Sequence, residues 1–250
     1  MKIIAHRGAS HDAPENTIPA IYQAWQERAD GVEIDARVTA DGKVVLIHDP
    51  DTHRTSGTKL EVKQQIWDAI RILDVGSWKN PRFRLTTIPL FRDVLKMLPG
   101  GRELWVEVKC GAEIIPALRN DLDVRRPPES GICFVGFNAQ VMSEIKRAFP
   151  KYRAFLNVEP PGQRGAPTPW TAENLIDVAR RMGLDGLSVG ISDLVEESFI
   201  GEVHGAGLEL VGWVVDDEKT ALRLAKAGLK ALMTNRPQYL RQKLSAHGIR

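Results

Sequence analysis

The sequence lacks most features that mark secreted, membrane-spanning or zinc-binding proteins. It has only two cysteines, Cys110 and Cys133, without the spacing of zinc ligands, so we expect two reduced thiols. No stretch approaches the roughly 20 consecutive apolar residues of a membrane span. The N-terminal residues MKIIAHRG lack the apolar segment of a signal peptide. We therefore expect a cytoplasmic protein with no membrane span.

The sequence also lacks a strong excess of charge of either sign. It contains 34 Lys and Arg residues against 32 Asp and Glu residues. Without a basic run, the charge pattern argues against nucleic-acid binding, whereas a small anionic ligand needs only a local positive pocket. Hydrophobic residues make up 43% of the 250 residues, which suffices for a sizeable core. Homo-oligomerisation is left open by these properties.

What the sequence does contain is a regular alternation of strand and helix patterns. Eight predicted strands are each followed by a predicted helix, and they start near residues 2, 31, 103, 132, 152, 186, 209 and 230. This predicts an α/β fold, a (β/α)8 TIM barrel, as one domain over 1–250. A doubly wound sheet is the competitor, but no GxGxxG follows the first strand. A small insertion at 50–88, with a helix at 62–70, follows the hairpin after strand two.

The segment 31–49 carries the densest set of candidate functional groups. Glu33 and Asp35 alternate with apolar residues, so one strand face carries two carboxylates. An Asp-Gly turn at 41–42 predicts a hairpin that returns His48 to the same region. A two-residue turn places His48 opposite Asp35, and a three-residue turn with a bulge shifts the pairing by one. Neighbouring buried carboxylates favour a cation between them.

The carboxyl ends of parallel barrel strands meet at one face, so the residues at those ends should lie together. The first three strand–helix units contribute two histidines, three carboxylates and two cations: His6, Arg7, Glu33, Asp35, His48, Glu107 and Lys109. Three carboxylates without sulfur ligands suit Mg²⁺ or Ca²⁺, and Arg and Lys suit a phosphate. Two histidines suit a general acid and a general base. The combination predicts phosphodiester cleavage.

Each of these groups also has an ordinary structural explanation. Glu33 and Asp35 could form the solvated face of a half-exposed strand. Glu107 and Lys109 could form a surface ion pair worth under about 1 kcal/mol. A single histidine is more often structural than catalytic. The functional interpretation is favoured because the groups occur at corresponding strand ends.

Short motifs run through the chain in a defined order. They are His6-Arg7-Gly8, Pro14-Glu15-Asn16-Thr17, Glu33-x-Asp35, Thr39-x-Asp41-Gly42, His48-Asp49, Arg54-Thr55 and Glu107-x-Lys109. This set resembles the glycerophosphodiester phosphodiesterase family. Weaker similarities continue at Phe137, Trp213 and 233–237, so the resemblance covers almost the whole chain.

The resemblance implies a (β/α)8 barrel that hydrolyses a glycerophosphodiester to sn-glycerol 3-phosphate and an alcohol. Carried over by position, it implies His6 and His48 as the acid–base pair and Arg7 and Lys109 as phosphate contacts. It implies three ligands of a divalent cation, Mg²⁺ or Ca²⁺: Glu33, Asp35 and Glu107. It also implies three residues near the small-molecule substrate: Glu15, Phe137 and Trp213.

The chain departs from the family pattern at three later strands. The family usually has Ser-Ser-Phe, Trp-Thr and Thr-Asp-x-Pro, where this chain has Val135-Gly136-Phe137, Trp213-Val214 and Thr234-Asn235-Arg236-Pro237. We expect these departures to affect the head group of the substrate rather than the chemistry. Two alternatives remain: a lysophospholipid-cleaving, phospholipase-D-like lyase that forms a cyclic phosphate, and a barrel that binds phosphate esters without turnover.

Overall fold

A computed structural model describes residues 1–249 of the protein, and its central feature is a closed barrel of parallel strands. The strands are β1 (Lys2–His6), β2 (Gly31–Val38), β3 (Val44–Leu46), β4 (Glu103–Val108), β5 (Ile132–Gly136), β6 (Arg153–Val158), β7 (Gly186–Gly190), β8 (Glu209–Trp213) and β9 (Ala231–Thr234). All except β3 belong to the barrel, which closes where β1 pairs with both β2 and β9. The predicted TIM barrel is therefore confirmed.

The α-helices follow the strands along the chain. They are α1 (Ile18–Gln26), α2 (His53–Ser56), α3 (Trp67–Ile70), α4 (Phe91–Leu95), α5 (Ile115–Arg125), α6 (Ala139–Ala148), α7 (Ala172–Arg181), α8 (Glu197–Gly205), α9 (Glu218–Lys226) and α10 (Pro237–Ala246). Several begin at a side chain that accepts a hydrogen bond from the first turn, such as Thr17, Asn138 and Asp217. Within residues 1–249, none of these helices has the length and apolar character to cross a membrane.

Strand alternation divides the core into an outer layer and a barrel interior. Val32 and Ile34 belong to the large cluster that packs between strands and helices. Trp105 and Phe155 belong to a smaller cluster, with their ring centroids 4.9 Å apart. Glu33 and Asp35 alternate with the outer-layer residues of β2, yet they are only 1% and 0% exposed. The explanation of a solvated strand face is therefore wrong, because this face is enclosed.

The hairpin after β2 has the shifted register. Ala36 pairs with Leu46, and the Ile47 N–H donates to the carbonyl of Asp35 at 3.0 Å. The connecting turn has three residues and ends at Gly42, whose φ of 71° lies in the left-handed region. The two-residue turn with His48 opposite Asp35 is thus wrong. His48 instead follows the end of β3.

The excursion at 50–88 covers the hairpin with its own small hydrophobic cluster, which includes Ile47 and Val62. The predicted helix over 62–70 is wrong, because it is divided into a 3₁₀ turn, Val62–Gln64, and the single-turn α3. Between them the carbonyl of Gln65 accepts the Ala40 N–H, at 2.8 Å. Contacts with the hairpin turn therefore override the local helix pattern.

Candidate active site

A cavity of about 220 Å³ opens at the carboxyl end of the barrel strands. Its lining includes eight of the predicted site residues: His6, Arg7, Glu33, His48, Glu107, Lys109, Phe137 and Trp213. Asp35 is fully buried and carries an ion pair with Arg7, whereas Glu15 is absent from the cavity lining. Residues from seven of the eight barrel strands and their following loops thus line one pocket, as the strand-end argument predicted.

The three predicted metal ligands converge. One carboxylate oxygen from each of Glu33, Asp35 and Glu107 lies within 4.8 Å of the other two. Burial and the neighbouring carboxylates raise the pKa of Glu33 well above its usual range, and raise the pKa of Glu107 as well. Glu33 Oε1 and Asp35 Oδ1 are buried and accept no hydrogen bond within the described part of the chain. The cluster therefore has unused acceptor capacity and could hold a cation.

Asp35 differs from the other two because cations and an amide surround it. Its Oδ2 lies 3.0 Å from Arg7 Nε and accepts a hydrogen bond from Asn16 Nδ2 at 2.7 Å. Lys109 Nζ lies 3.7 Å from Asp35 Oδ1. Burial opposes ionisation, but these groups outweigh it and hold the pKa of Asp35 below its usual range. Arg7 and Asn16 both have left-handed backbones, with φ of 57°, a conformation that is uncommon for residues other than glycine.

His6 is held through an amide that the sequence did not identify as part of the site. Asn235 donates from Nδ2 to Asp216 Oδ2 at 2.6 Å, so its Oδ1 faces His6 and accepts the His6 Nδ1–H at 2.8 Å. This tautomer leaves His6 Nε2 free to accept a proton. Burial, followed by the charge of Arg7, lowers the pKa of His6 to about 4. The departure at Asn235 thus contacts a proposed catalytic histidine, contrary to our expectation that it affects only the head group.

His48 is positioned by a series of connected ion pairs. Its Nδ1 lies 2.7 Å from Asp49 Oδ1, and Asp49 Oδ2 accepts from Arg54 Nε. Arg54 also donates to both oxygens of Glu15, at 2.7 and 3.0 Å, and Glu15 accepts from Arg7 Nη1 at 3.0 Å. Burial lowers the pKa of His48, whereas Asp35 and Asp49 oppose that shift. The chain of ion pairs connects the two sides of the site.

Glu15 was predicted to bind substrate, but its structural surroundings indicate a positioning role. Arg7 and Arg54 occupy its carboxylate oxygens, and two arginine side chains lower its pKa although burial opposes this. A direct substrate contact for Glu15 stays a prediction. Arg54 was visible in the sequence only as part of a motif, without an indication of what it contacts.

Arg37 is a further positioning residue that the sequence did not reveal. Its guanidinium donates to the backbone carbonyl of His48 at 2.7 and 3.0 Å and to that of Lys109 at 2.9 Å. It therefore ties the segment after β3 to the end of β4. The one sequence signal for this role was that Arg37 lies on the same strand face as Glu33 and Asp35. The structure shows that this face is enclosed.

The far side of the cavity is aromatic with isolated polar atoms. Phe137 and Trp213 pack edge to face with centroids 5.8 Å apart, and Lys109 Nζ lies 5.7 Å from the Phe137 ring. Asn157 Oδ1 and Trp213 Nε1 are buried without a hydrogen-bond partner within residues 1–249. Unpaired buried polar atoms are costly, and both residues that carry them line the cavity.

Comparisons with known proteins agree with this geometry. The family model "Glycerophosphoryl diester phosphodiesterase family" matches residues 6–239. A glycerophosphodiester phosphodiesterase from Caldanaerobacter subterraneus subsp. tengcongensis is 30% identical over 243 residues, which are 95% of each chain.

Solved structures also superpose closely. A phosphodiesterase from Oleispira antarctica, solved with the product sn-glycerol 3-phosphate, has a TM-score of 0.88 at 26% identity and covers 98% of this chain and 97% of its own. A glycerophosphodiester phosphodiesterase from Agrobacterium tumefaciens has a TM-score of 0.80 at 24% identity and covers 97% and 99%. At that lower identity the second comparison supports the fold alone.

Proposed function

Because this chain belongs to the glycerophosphoryl diester phosphodiesterase family, and hydrolyses glycerophosphodiesters as a member of it, we propose that it uses histidine acid–base catalysis with a divalent cation. The proposed products are sn-glycerol 3-phosphate and an alcohol. The observation that carries the proposal is the convergence of two cations and two histidines in one cavity with a cluster of three buried carboxylates, two of which, Glu33 and Glu107, line that cavity.

The donor set fits a hard divalent cation. Glu33, Asp35 and Glu107 would hold Mg²⁺ or Ca²⁺, since they offer only oxygen ligands and two of their buried oxygens lack partners. The raised pKa values of Glu33 and Glu107 reflect like-charge crowding that a cation would relieve. When bound, the cation would neutralise charge on the phosphate as it develops.

Arg7 and Lys109 would bind the phosphate oxygens. Both line the cavity, and both are already oriented by the carboxylates of the cluster, Arg7 by Asp35 and Lys109 by Glu107. The Arg7 guanidinium offers a planar fork to phosphate, and the Lys109 ammonium offers a point charge.

The partners of the two histidines support a division of roles. Asn235 is a neutral acceptor, which suits a neutral His6 that receives a proton at Nε2 from the attacking group. Asp49 is a carboxylate, which favours the protonated form of His48 as it donates to the leaving alkoxide. The attacking group is either water or the glycerol 2-hydroxyl, with a cyclic phosphate then opened by water.

The decisive experiment measures the release of glycerol 3-phosphate by the wild-type protein and by histidine variants, with and without a divalent metal. Wild-type protein with Mg²⁺ or Ca²⁺ should release glycerol 3-phosphate from glycerophosphodiesters, detected by a coupled assay, and EDTA should abolish release. His6→Ala and His48→Ala should each reduce kcat by at least about a hundredfold. His204→Ala is the matched control, because His204 lines a different cavity together with Lys2 and Lys230.

Each outcome has a distinct meaning. An undiminished rate in EDTA would refute the metal assignment, and near-normal turnover in one histidine variant would remove that residue from the acid–base pair. Phosphorus NMR of the product separates the alternatives: a cyclic phosphate as the final product would establish the lyase. Binding without any turnover would indicate the non-catalytic barrel.

A further inference from the structure

An exposed surface on the excursion, formed by residues 71–85 and called here the 71–85 surface, combines apolar and basic side chains. This segment holds four basic residues and one acidic residue, whereas the whole chain has a net charge of only +2. Three of the nine exposed large hydrophobic side chains within residues 1–249 also occur in it. The defining residues are Arg71, Ile72, Trp78, Arg82, Arg84 and Leu85.

Leu85 is the most unusual member of this surface. Its side chain is 72% exposed, so packing within the protein does not account for a leucine there. Its φ of 64° places a bulky side chain in the left-handed region, where Gly and Asn are at ease and leucine is strained. Hydrogen bonding holds the conformation, because the Leu85 N–H donates to Asp74 Oδ2 at 3.0 Å.

Asp74 organises the loop that presents these side chains. Besides Leu85, its carboxylate accepts from the backbone N–H groups of Gly76 and Ser77 and from Ser77 Oγ, at 2.7 to 2.9 Å. The Trp78 indole N–H donates to the Val75 carbonyl at 2.8 Å, which orients the partly exposed ring. The apolar side chains are therefore displayed on a structured loop.

Two basic side chains of the 71–85 surface contact the loop that begins after β1. Lys79 Nζ donates to the Ser10 carbonyl at 2.7 Å, and Arg82 Nη2 donates to the Asp12 carbonyl at 2.9 Å. Ser10 Oγ in turn donates to the His6 carbonyl at 2.7 Å. The surface is thus attached to the loop after β1, which begins with Arg7 and directly follows His6.

We propose that the 71–85 surface docks the enzyme peripherally on anionic lipid bilayers. The segment combines exposed apolar side chains with an excess of positive charge, although Arg71 also pairs with Asp68 at 2.6 Å. This combination matches a bilayer, where the apolar groups enter the interface and the cations face anionic head groups. The charge complementarity selects an anionic membrane rather than a neutral one. The inference depends on the surface itself and is independent of the catalytic proposal.

The test is co-flotation of the full chain with vesicles. Wild-type protein should float with vesicles of equimolar phosphatidylcholine and phosphatidylserine, stay in solution with phosphatidylcholine alone, and be released by high salt. Arg84→Gln should weaken binding on the order of fivefold, because Arg84 is exposed and its side chain has no ion-pair or hydrogen-bond partner within residues 1–249. Leu85→Asn should weaken binding roughly tenfold.

Leu85→Asn also separates docking from a role in folding. Asparagine tolerates the left-handed backbone, so the Tm should be unchanged or higher while vesicle binding falls. The matched control is Val124→Asn with Arg125→Gln, an exposed apolar and basic pair at the carboxyl end of α5, and it should bind as wild type does. Water-soluble glycerophosphodiester should be turned over normally by Leu85→Asn.

Three results would overturn the proposal. One is equal binding of wild-type protein to both kinds of vesicle or to neither. Another is an unchanged affinity in Leu85→Asn, which would indicate a site for soluble polyanions instead. The third is an equal loss of binding in the control variant. Since binding is measured by flotation, an absence of phosphodiesterase activity would leave these results interpretable.

Discussion

Glu33→Gln should make the metal-free protein more stable and, at the same time, remove its response to metal. The carboxylate oxygens of the cluster lie within 4.8 Å of one another, which corresponds to a repulsion of about 3.5 kcal/mol per pair of charges at an effective dielectric constant near 20. Arg7 and Lys109 offset part of this repulsion. The neutral amide should therefore raise the free energy of unfolding by roughly 1 to 2 kcal/mol at neutral pH.

The direction of the pH dependence follows from the pKa of Glu33. In the folded protein this pKa is raised above its ordinary value. Protonated Glu33 therefore contributes to the stability of the protein at low pH, and this contribution is lost as the pH rises toward the folded-state pKa. The gain in stability from Glu33→Gln should accordingly be small at about pH 4, close to the ordinary pKa of Glu, and larger at about pH 7.5. An amide at this position also has an N–H donor to offer to Asp35 Oδ1, which accepts no hydrogen bond within residues 1–249.

The assay is thermal unfolding with EDTA and with saturating Mg²⁺ or Ca²⁺. For a chain of this length, the gain without metal corresponds to a rise in Tm of about 2 to 8 °C. Metal at about a hundred times its Kd should stabilise wild type by about 2.7 kcal/mol, and this response should shrink strongly in the variant. Activity should be lost.

Glu103→Gln is the matched control, because Glu103 is a buried carboxylate on the same strand as Glu107. Glu103 pairs with Lys2 at 2.6 Å and Arg153 at 3.0 Å, and these partners hold its pKa low although burial opposes this. Its substitution should lower the Tm by a few degrees with or without metal, as one partner is half exposed. A lower metal-free Tm in Glu33→Gln, or an undiminished metal response, would refute the crowding argument.

The remaining predictions concern the residues that hold the two histidines. Asn235→Asp should raise the pKa of His6 from about 4, because a carboxylate then faces His6 Nδ1. The acid limb of kcat/KM should move to higher pH, and an unmoved pH–rate profile would show that His6 does not govern it. Arg54→Met should lower kcat roughly tenfold with little change in KM, since Arg54 positions Asp49 behind His48. An unchanged kcat would exclude that role.

Much of the fold was predictable because its signals are local. The alternation of strand and helix patterns indicated the barrel, and the position of Glu33, Asp35 and Glu107 at strand ends indicated their convergence, since all parallel strands of a barrel end at one face. The wrong prediction of one helix over 62–70 shows the limit of such patterns. In the structure, the hairpin turn donates a hydrogen bond to the backbone of this segment, and the helix is interrupted there.

The sequence by itself determined which chemical groups reach the mouth of the barrel, because periodicity and strand order are properties of neighbouring residues. The tertiary structure decided which atoms meet. The conformation of one left-handed glycine set the hairpin register, and Asn235 reaches His6 across 229 residues of chain. Arg37 and Glu15 acquired positioning roles because both are partly buried, and each is paired with a nearby group of complementary charge or dipole.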